Sequence, residues 1–167
     1  MITKVKSLQK YEEIFLKDGV QIDLLGKSAY DLERLEKVFS TIESMYLFST
    51  ENKVALKNYL EKLINNGYNF VLSDGVHDVG LLSMYANDQV KKIAFTSTIG
   101  ITPSHRKGSF GRNLAKFGLE FLKEMGMVKV KAEVHKSNII WLRYLQRLKF
   151  QIDSETKNDT YIIVRDL

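Results

Sequence analysis

The chain predicts a single mixed α/β sandwich, and three patterns carry that expectation. A strand, a helix and a second strand follow one another from Lys92 to Val134, which requires parallel neighbours joined by a right-handed crossover. Before them, Asn69–Ser73 and Val79–Tyr85 flank Asp74-Gly75-Val76-His77-Asp78, an antiparallel hairpin with ordinary turn chemistry. Elsewhere, apolar residues recur at helical spacing. With 167 residues, 44% of them apolar, the chain is long enough to bury a core as one domain over 1–167.

The elements follow in order. Residues 1–18 have helical composition around Tyr11, Ile14, Phe15 and Leu16, and Val20–Leu25 reads as a short strand. From Tyr30 to Tyr46, the residues Leu32, Leu35, Val38, Phe39, Ile42, Met45 and Tyr46 form one helical stripe. A second helix from about Lys53 carries Leu56, Tyr59, Leu60, Leu63 and Ile64 and stops at Asn66-Gly67. In the strand Lys92–Ile101, Ile93, Phe95, Ile99 and Ile101 share one parity, expected to be the buried face. Leu114, Phe117, Phe121, Leu122 and Met125 mark the next helix, ended by Gly126. Val128–Val134 alternates apolar and charged residues, Ser137 is the expected N-cap of a last helix, and Thr160–Val164 is the last strand.

Composition narrows the chemistry. Without cysteine there is no disulfide, thiol nucleophile or thiolate metal site, and His77, His105 and His135 lack metal-ligand spacing, so no metal is expected. The amino terminus lacks the apolar run of a signal peptide and no segment is long enough to span a bilayer; no membrane association and a cytoplasmic location are the expectations. The net charge of +5 admits an acidic partner, but the lysines are dispersed and no aromatic–basic ribonucleoprotein motif occurs, which argues against nucleic acid.

Residues 101–114, Ile-Thr-Pro-Ser-His-Arg-Lys-Gly-Ser-Phe-Gly-Arg-Asn-Leu, are the most informative stretch. A β-branched strand runs through the only proline into a basic, glycine-containing turn that opens a helix near Phe110. The first turn of a helix presents unpaired N–H groups and the positive end of the macrodipole. Gly108 and Gly111 allow close approach to the main chain, and Arg106, Lys107 and Arg112 add positive charge. Together they make an anion cradle, read as a pyrophosphate site.

These residues resemble the GCN5-related N-acetyltransferase superfamily. Its signature is Arg or Gln, two free positions, Gly, one free position, then Gly or Ala; here the turn reads Arg106-Lys107-Gly108-Ser109-Phe110-Gly111, with Ser109 where the first glycine usually stands. Ile99-Gly100-Ile101-Thr102-Pro103 matches the strand end before the turn, and Glu133-Val134, Asn138 and Phe150 match the second signature region. The resemblance covers about 69–165 and implies a mostly antiparallel central sheet with helices on both faces and a splayed parallel pair that binds the coenzyme. It implies a coenzyme-binding half over 67–167 and a variable acceptor-side half over 1–66. Two departures stand out: Leu145 occupies the position of the family's tyrosine, and Lys149 replaces the glycine before the terminal aromatic. Tyr144, one residue earlier, is rotated by about 100° on a helix, so its hydroxyl is expected to miss the coenzyme sulfur.

The resemblance implies acetyl-coenzyme A as co-substrate and direct attack by a primary amine in a ternary complex. The amine must lose a proton, the oxyanion needs a donor and the departing thiolate needs an acid. The oxyanion donor is expected to be a backbone N–H near Ile99, Gly100 and Ile101, with Gly100 suited to a strand irregularity. The strand itself offers Thr96, Ser97 and Thr98 but no carboxylate. His135, an imidazole at the end of the fifth strand, and Glu133, of the same strand parity, are the candidate bases. Tyr144 is the candidate acid, with a core aromatic as its plain alternative. Arg106, Lys107, Gly108, Ser109, Phe110, Gly111, Arg112 and Asn138 complete the expected coenzyme site. Tyr46, Phe48 and Tyr85 are candidate acceptor-lining residues.

The expected function is therefore N-acetyl transfer to a small-molecule amine. An aminosugar, a polyamine-like metabolite, an amino acid and a protein N-terminus stay open as acceptor, and a homodimer stays open as assembly. Two alternatives are a coenzyme-binding module without turnover, motivated by Leu145, Lys149 and the missing strand carboxylate, and a polyanion-binding domain.

Overall fold

The computed structural model describes residues 5–42 and 52–167. Its sheet has seven strands in the order β1-β2-β3-β4-β5-β7-β6. These are β1 (Gln21–Leu24), β2 (Tyr68–Ser73), β3 (Asp78–Tyr85), β4 (Ile93–Ile101), β5 (Lys129–His135), β6 (Gln151–Glu155) and β7 (Thr160–Asp166). All neighbours are antiparallel except β4 and β5. The α-helices among the described residues are α1 (Lys6–Lys17), α2 (Ala29–Thr41), α3 (Lys53–Asn66), α4 (Phe110–Glu124) and α5 (Ile139–Arg147).

Sequence periodicity places these helices on the two faces. On one side, Leu8, Tyr11 and Phe15 of α1 join Leu114, Phe117 and Phe121 of α4 over Phe70, Leu82, Met84 and Val130 of the sheet. Phe70 meets Phe117 and Phe121 edge-on, at ring separations of 4.8 and 5.0 Å. Gly118 lets α4 approach β3 closely: a Cβ there would lie 3.1 Å from Leu82 and 3.2 Å from the Met84 sulfur. Leu145 and Phe150 bring α5 and the chain after it onto this same layer. On the other side, Leu35, Val38 and Phe39 of α2 and Leu60, Leu63 and Ile64 of α3 cover Val71 and Leu81. The predicted stripe from 30 to 46 is α2 as far as Thr41; its last members, Met45 and Tyr46, and Phe48 lie outside the described residues.

Helix ends follow from local chemistry. Ser28 and Asp31 form a capping box on α2, each side chain bonded to the other's main-chain N–H. Gly126, at φ +85°, closes α4: its N–H bonds to the Lys123 carbonyl and that of Met127 to the Leu122 carbonyl. Lys149 repeats this motif after α5 at φ +67°, its N–H on Gln146 and that of Phe150 on Leu145. The non-glycine residue at the family's glycine position thus adopts the backbone conformation that glycine favours. The last helix starts one residue later than expected, with Asn138 rather than Ser137 in the N-cap position, because the Ser137 hydroxyl is engaged by His135.

One expectation about β4 is corrected. Opposite β3, Ser83 pairs with Thr98 but Met84 pairs with Thr96, so Ser97 is an extra residue in a bulge. The bulge inverts the strand's faces. Ile99 and Ile101 pack with Ala94 on the α1/α4 layer, whereas Ile93 and Phe95 fall on the opposite face. The irregularity that we expected near Gly100 therefore lies at Ser97. Gly100 pairs regularly with Leu81, and its missing side chain makes room for Ile42, whose atoms would lie 3.0–3.4 Å from a Cβ.

Candidate active site

The parallel pairing of β4 and β5 runs from Ile93/Lys129 to Thr96/Ala132 and ends there, although both strands continue. Ser97 and Glu133 are the first residues beyond the last pair. From this fork a cleft of about 1010 Å³ opens between the strands toward the start of α4 and across to α5.

The cradle forms one end of the cleft. Strand β4 passes through Thr102 into a 3₁₀ turn, Pro103–His105, and α4 begins at Phe110. Asn113 is the first residue whose N–H closes back onto the turn, on the Ser109 carbonyl at 2.9 Å, so the N–H groups of Phe110, Gly111 and Arg112 precede the helical ladder. Ser109 occupies the N-cap position without a side-chain capping bond, and its Oγ accepts from the Asn113 amide at 3.3 Å. Gly108 and Gly111 line the cleft, and a Cβ on either would touch only one neighbouring side chain, at 3.6 Å. The space it would take is cleft space.

The cations divide by role. Arg106 donates from Nε to the Ile101 carbonyl at 2.9 Å and from a terminal nitrogen to the Ile42 carbonyl at 3.3 Å. It fastens the strand end to the end of α2 and presents its remaining N–H groups to the cleft. Lys107 and Arg112 line the cleft. Ile99, Gly100 and Ile101 form its β4 wall. Among the predicted cradle residues, Ser109 and Phe110 are not part of its lining; Phe110 packs beside His105 instead.

The candidate catalytic groups stand farther in. Among the described residues that line the cleft, Glu133 is the only carboxylate. The buried Thr160 on β7 donates to one of its oxygens, and Thr160 is in turn bonded to Thr156. His135 lines the cleft at the end of β5, but its Nδ1 accepts from the Ser137 N–H at 3.2 Å and lies 2.7 Å from the Ser137 hydroxyl. That pattern assigns the neutral ring's proton to Nε2, which lies 4.0 Å from Asp159. Asn138 also lines the cleft, and its amide makes no capping bond.

Tyr144 faces the cleft despite its rotated position; Leu145, beside it, enters the core. The Tyr144 hydroxyl donates to the Arg112 carbonyl at 3.3 Å, tying α5 to the first turn of α4. Partial burial raises its pKa, opposed by the positive charges of Arg112 and Arg147, so the phenol keeps its proton at neutral pH. Tyr85 is half-buried beside the α2/α3 layer and does not line the cleft.

Sequence reading missed a hydroxyl cluster at the bulge. The Tyr59 hydroxyl lies 2.7 Å from Ser97 Oγ and 2.8 Å from Thr98 Oγ1, and burial raises the phenol's pKa while both hydrogen bonds lower it. Tyr59 looked like one more apolar position of α3; only the bulge brings Ser97 and Thr98 under it. Arg147 was missed as well, although its place three residues beyond Tyr144 puts it on the same helix face.

Residues 29–150, which include β4, the cradle, the fork and α5, match the acetyltransferase (GNAT) family. The chain belongs to that family. PaiA N-acetyltransferase from Thermoplasma acidophilum, solved in complex with coenzyme A, is similar in structure with a TM-score of 0.69 at 16% identity over 89% of this chain and 99% of that one. The ribosomal-protein-S18-alanine N-acetyltransferase from Escherichia coli gives 0.69 at 17% over 88% and 93%. An acetyltransferase from Thermus thermophilus gives 0.66 at 22% over 87% and 97%. At these identities the likeness is one of fold. No curated protein sequence matches the chain.

As a GNAT enzyme the protein is an acyl-CoA-dependent N-acyltransferase, and the family uses acetyl-coenzyme A. The site fits that co-substrate: an open row of N–H groups, two glycines whose side-chain space is cleft space, and flanking cations suit a pyrophosphate. Among the described residues no group of His, Asp or Glu could hold a metal, and no helix is long and apolar enough to cross a membrane.

Proposed function

We propose that the protein transfers the acetyl group of acetyl-coenzyme A to the primary amine of a small molecule, with both substrates bound together. The observation that carries this reading is the placement of Glu133: the one carboxylate among the described residues that line the cleft stands at the fork where β4 and β5 part, in the same cleft as the α4 cradle. Acetyl-coenzyme A supplies an activated carbonyl; the chain's residues hold it and manage protons.

In this reading, residues 67–167 bind the coenzyme. The α4 N-terminus with Lys107 takes the pyrophosphate, Asn138 takes an amide of the pantetheine arm, and main-chain groups of Ile99–Ile101 lie along the β4 wall. Residues 1–66 complete the acceptor side. Glu133 accepts the proton of the incoming ammonium, directly or through water. The Thr160 bond leaves its second oxygen for the amine and fixes the carboxylate's orientation. His135 is less suited to the task, because its Nδ1 is already engaged by Ser137. Tyr144, protonated and facing the cleft, donates to the leaving thiolate by exchanging its bond to the Arg112 carbonyl for one to the sulfur.

The test is calorimetric titration with acetyl-coenzyme A, with ATP and NAD as controls, followed by free-thiol release across aminosugars, polyamines, amino acids and peptide N-termini. Selective binding and release with a small amine are the expected results. Binding without turnover across the panel would support the coenzyme-binding module instead, and release with peptide N-termini alone would move the acceptor to protein.

A further inference from the structure

Coenzyme A carries two anionic groups of different shape: a bridging pyrophosphate and a terminal 3′-phosphate monoester. The row of N–H groups at the start of α4 suits the first. A terminal phosphate, with three free oxygens, is better matched by the planar fork of a guanidinium. We propose that Arg147, together with Arg112, binds the 3′-phosphate of the coenzyme and makes the enzyme discriminate against donors that lack it. This rests on the coenzyme reading above and assigns a part of that site not yet accounted for.

Four observations place the pair. Arg147 and Arg112 both line the cleft, one from α5 and the other from the first turn of α4. The Tyr144 hydroxyl on the Arg112 carbonyl fixes α5 against the first turn of α4. Arg147 lies three residues farther along α5, an axial rise of about 4.5 Å, on the face that Tyr144 presents. Neither arginine has a carboxylate partner among the described residues, whereas Arg34, the ion-paired arginine, holds Asp23 and Asp78 at 2.8 Å.

A plainer role for Arg147 would be to cap the carbonyls at the end of α5. The backbone already does this: the N–H groups of Lys149 and Phe150 satisfy the Gln146 and Leu145 carbonyls. Arg106 is committed in part to the Ile101 and Ile42 carbonyls. Among the described arginines of the cleft, Arg112 and Arg147 are therefore the two whose guanidinium groups are not engaged by the protein.

The test is calorimetry with coenzyme A and with 3′-dephospho-coenzyme A, on wild type, Arg147→Gln and Arg147→Lys, each first shown to be folded by circular dichroism. A charge-assisted pair of this kind is worth about tenfold or more in affinity. Wild type is expected to bind coenzyme A about tenfold tighter than the dephospho form. Arg147→Gln is expected to lose most of that difference by weakening coenzyme A alone, and Arg147→Lys to keep part of it. Equal affinity of wild type for both ligands, or an undiminished difference in Arg147→Gln, overturns the assignment. If wild type binds neither ligand, the coenzyme reading itself fails.

Discussion

Gly111→Asp separates binding from folding because the structure gives the two effects opposite signs. A Cβ at Gly111 meets only Ile101, at 3.6 Å, so the side chain enters without a clash. Glycine is a poor helix former, and replacing it by aspartate recovers about 0.3 kcal/mol. A carboxylate in the first turn of α4 adds about 0.3–1 kcal/mol through the macrodipole. The ligand-free protein is thus expected to gain about 1 kcal/mol, or about 2–4 °C in Tm for a chain of this size. The same carboxylate would stand about 4–5 Å from a bound phosphate; at an effective dielectric constant of about 20 the repulsion is about 3–4 kcal/mol. Affinity for coenzyme A should fall by a factor of a few hundred. Calorimetry reads the affinity and a thermal melt reads the stability. Unchanged affinity would remove the α4 cradle from the site, and a lower Tm would show that lost binding reflects misfolding.

Other perturbations address the base, the α5 turn and the α2 cap. Glu133→Gln should lower turnover about 100-fold or more while acetyl-coenzyme A affinity stays within about twofold; steady-state kinetics showing turnover near wild type would exclude Glu133 as base. Lys149→Gly should stabilise by about 0.5–1 kcal/mol, since relief of about 1–2 kcal/mol of left-handed strain exceeds the extra freedom glycine gives the unfolded chain; urea unfolding checks it, and a loss of stability would contradict the strain argument. Ser28→Ala should cost about 1 kcal/mol near neutral pH. The Ser28 hydroxyl holds the Asp31 carboxyl below its ordinary pKa of 3.8. A depressed folded pKa contributes stability above the unfolded value and loses it as pH falls through the folded one. The difference between Ser28→Ala and wild type should therefore narrow below about pH 4 in melts taken along a pH series, and a constant difference would exclude the linkage.

The fold and the cradle were legible in the sequence because their signals are local. Helical stripes such as Leu114-Phe117-Phe121 report a single buried face, and a glycine-containing basic turn between a strand and a helix reports a helix start with open N–H groups. The interior of the site was not legible, because it is made by pairing. Nothing in the run Thr96-Ser97-Thr98 shows that Ser97 is the unmatched residue; that depends on the register with β3. Spacing alone gives the rotation of about 100° between Tyr144 and the family's tyrosine position, but not which of the two faces the cleft. Here Leu145 enters the core and Tyr144 faces the cleft, reaching the Arg112 carbonyl. The motif shows Arg106 beside the cradle; its partners, the Ile101 and Ile42 carbonyls, come from a strand end and the residue that caps α2, and only the fold brings them to it.

The extra residue at Ser97 also acts as a spacer. Below it, β4 is in step with β5 and supports the parallel pair; above it, the strand is out of phase with that half and in step with β3 alone. Deleting Ser97 would remove far more than a hydroxyl. Strict alternation would return, Ile99 and Ile101 would swing toward the α2/α3 layer, and the chain entering the turn at Pro103 would be drawn back by about 3.3 Å. The glycines of the cradle would then miss the fork by one residue's length. A single extra amino acid sets the distance between the first turn of α4 and the fork where β4 and β5 part.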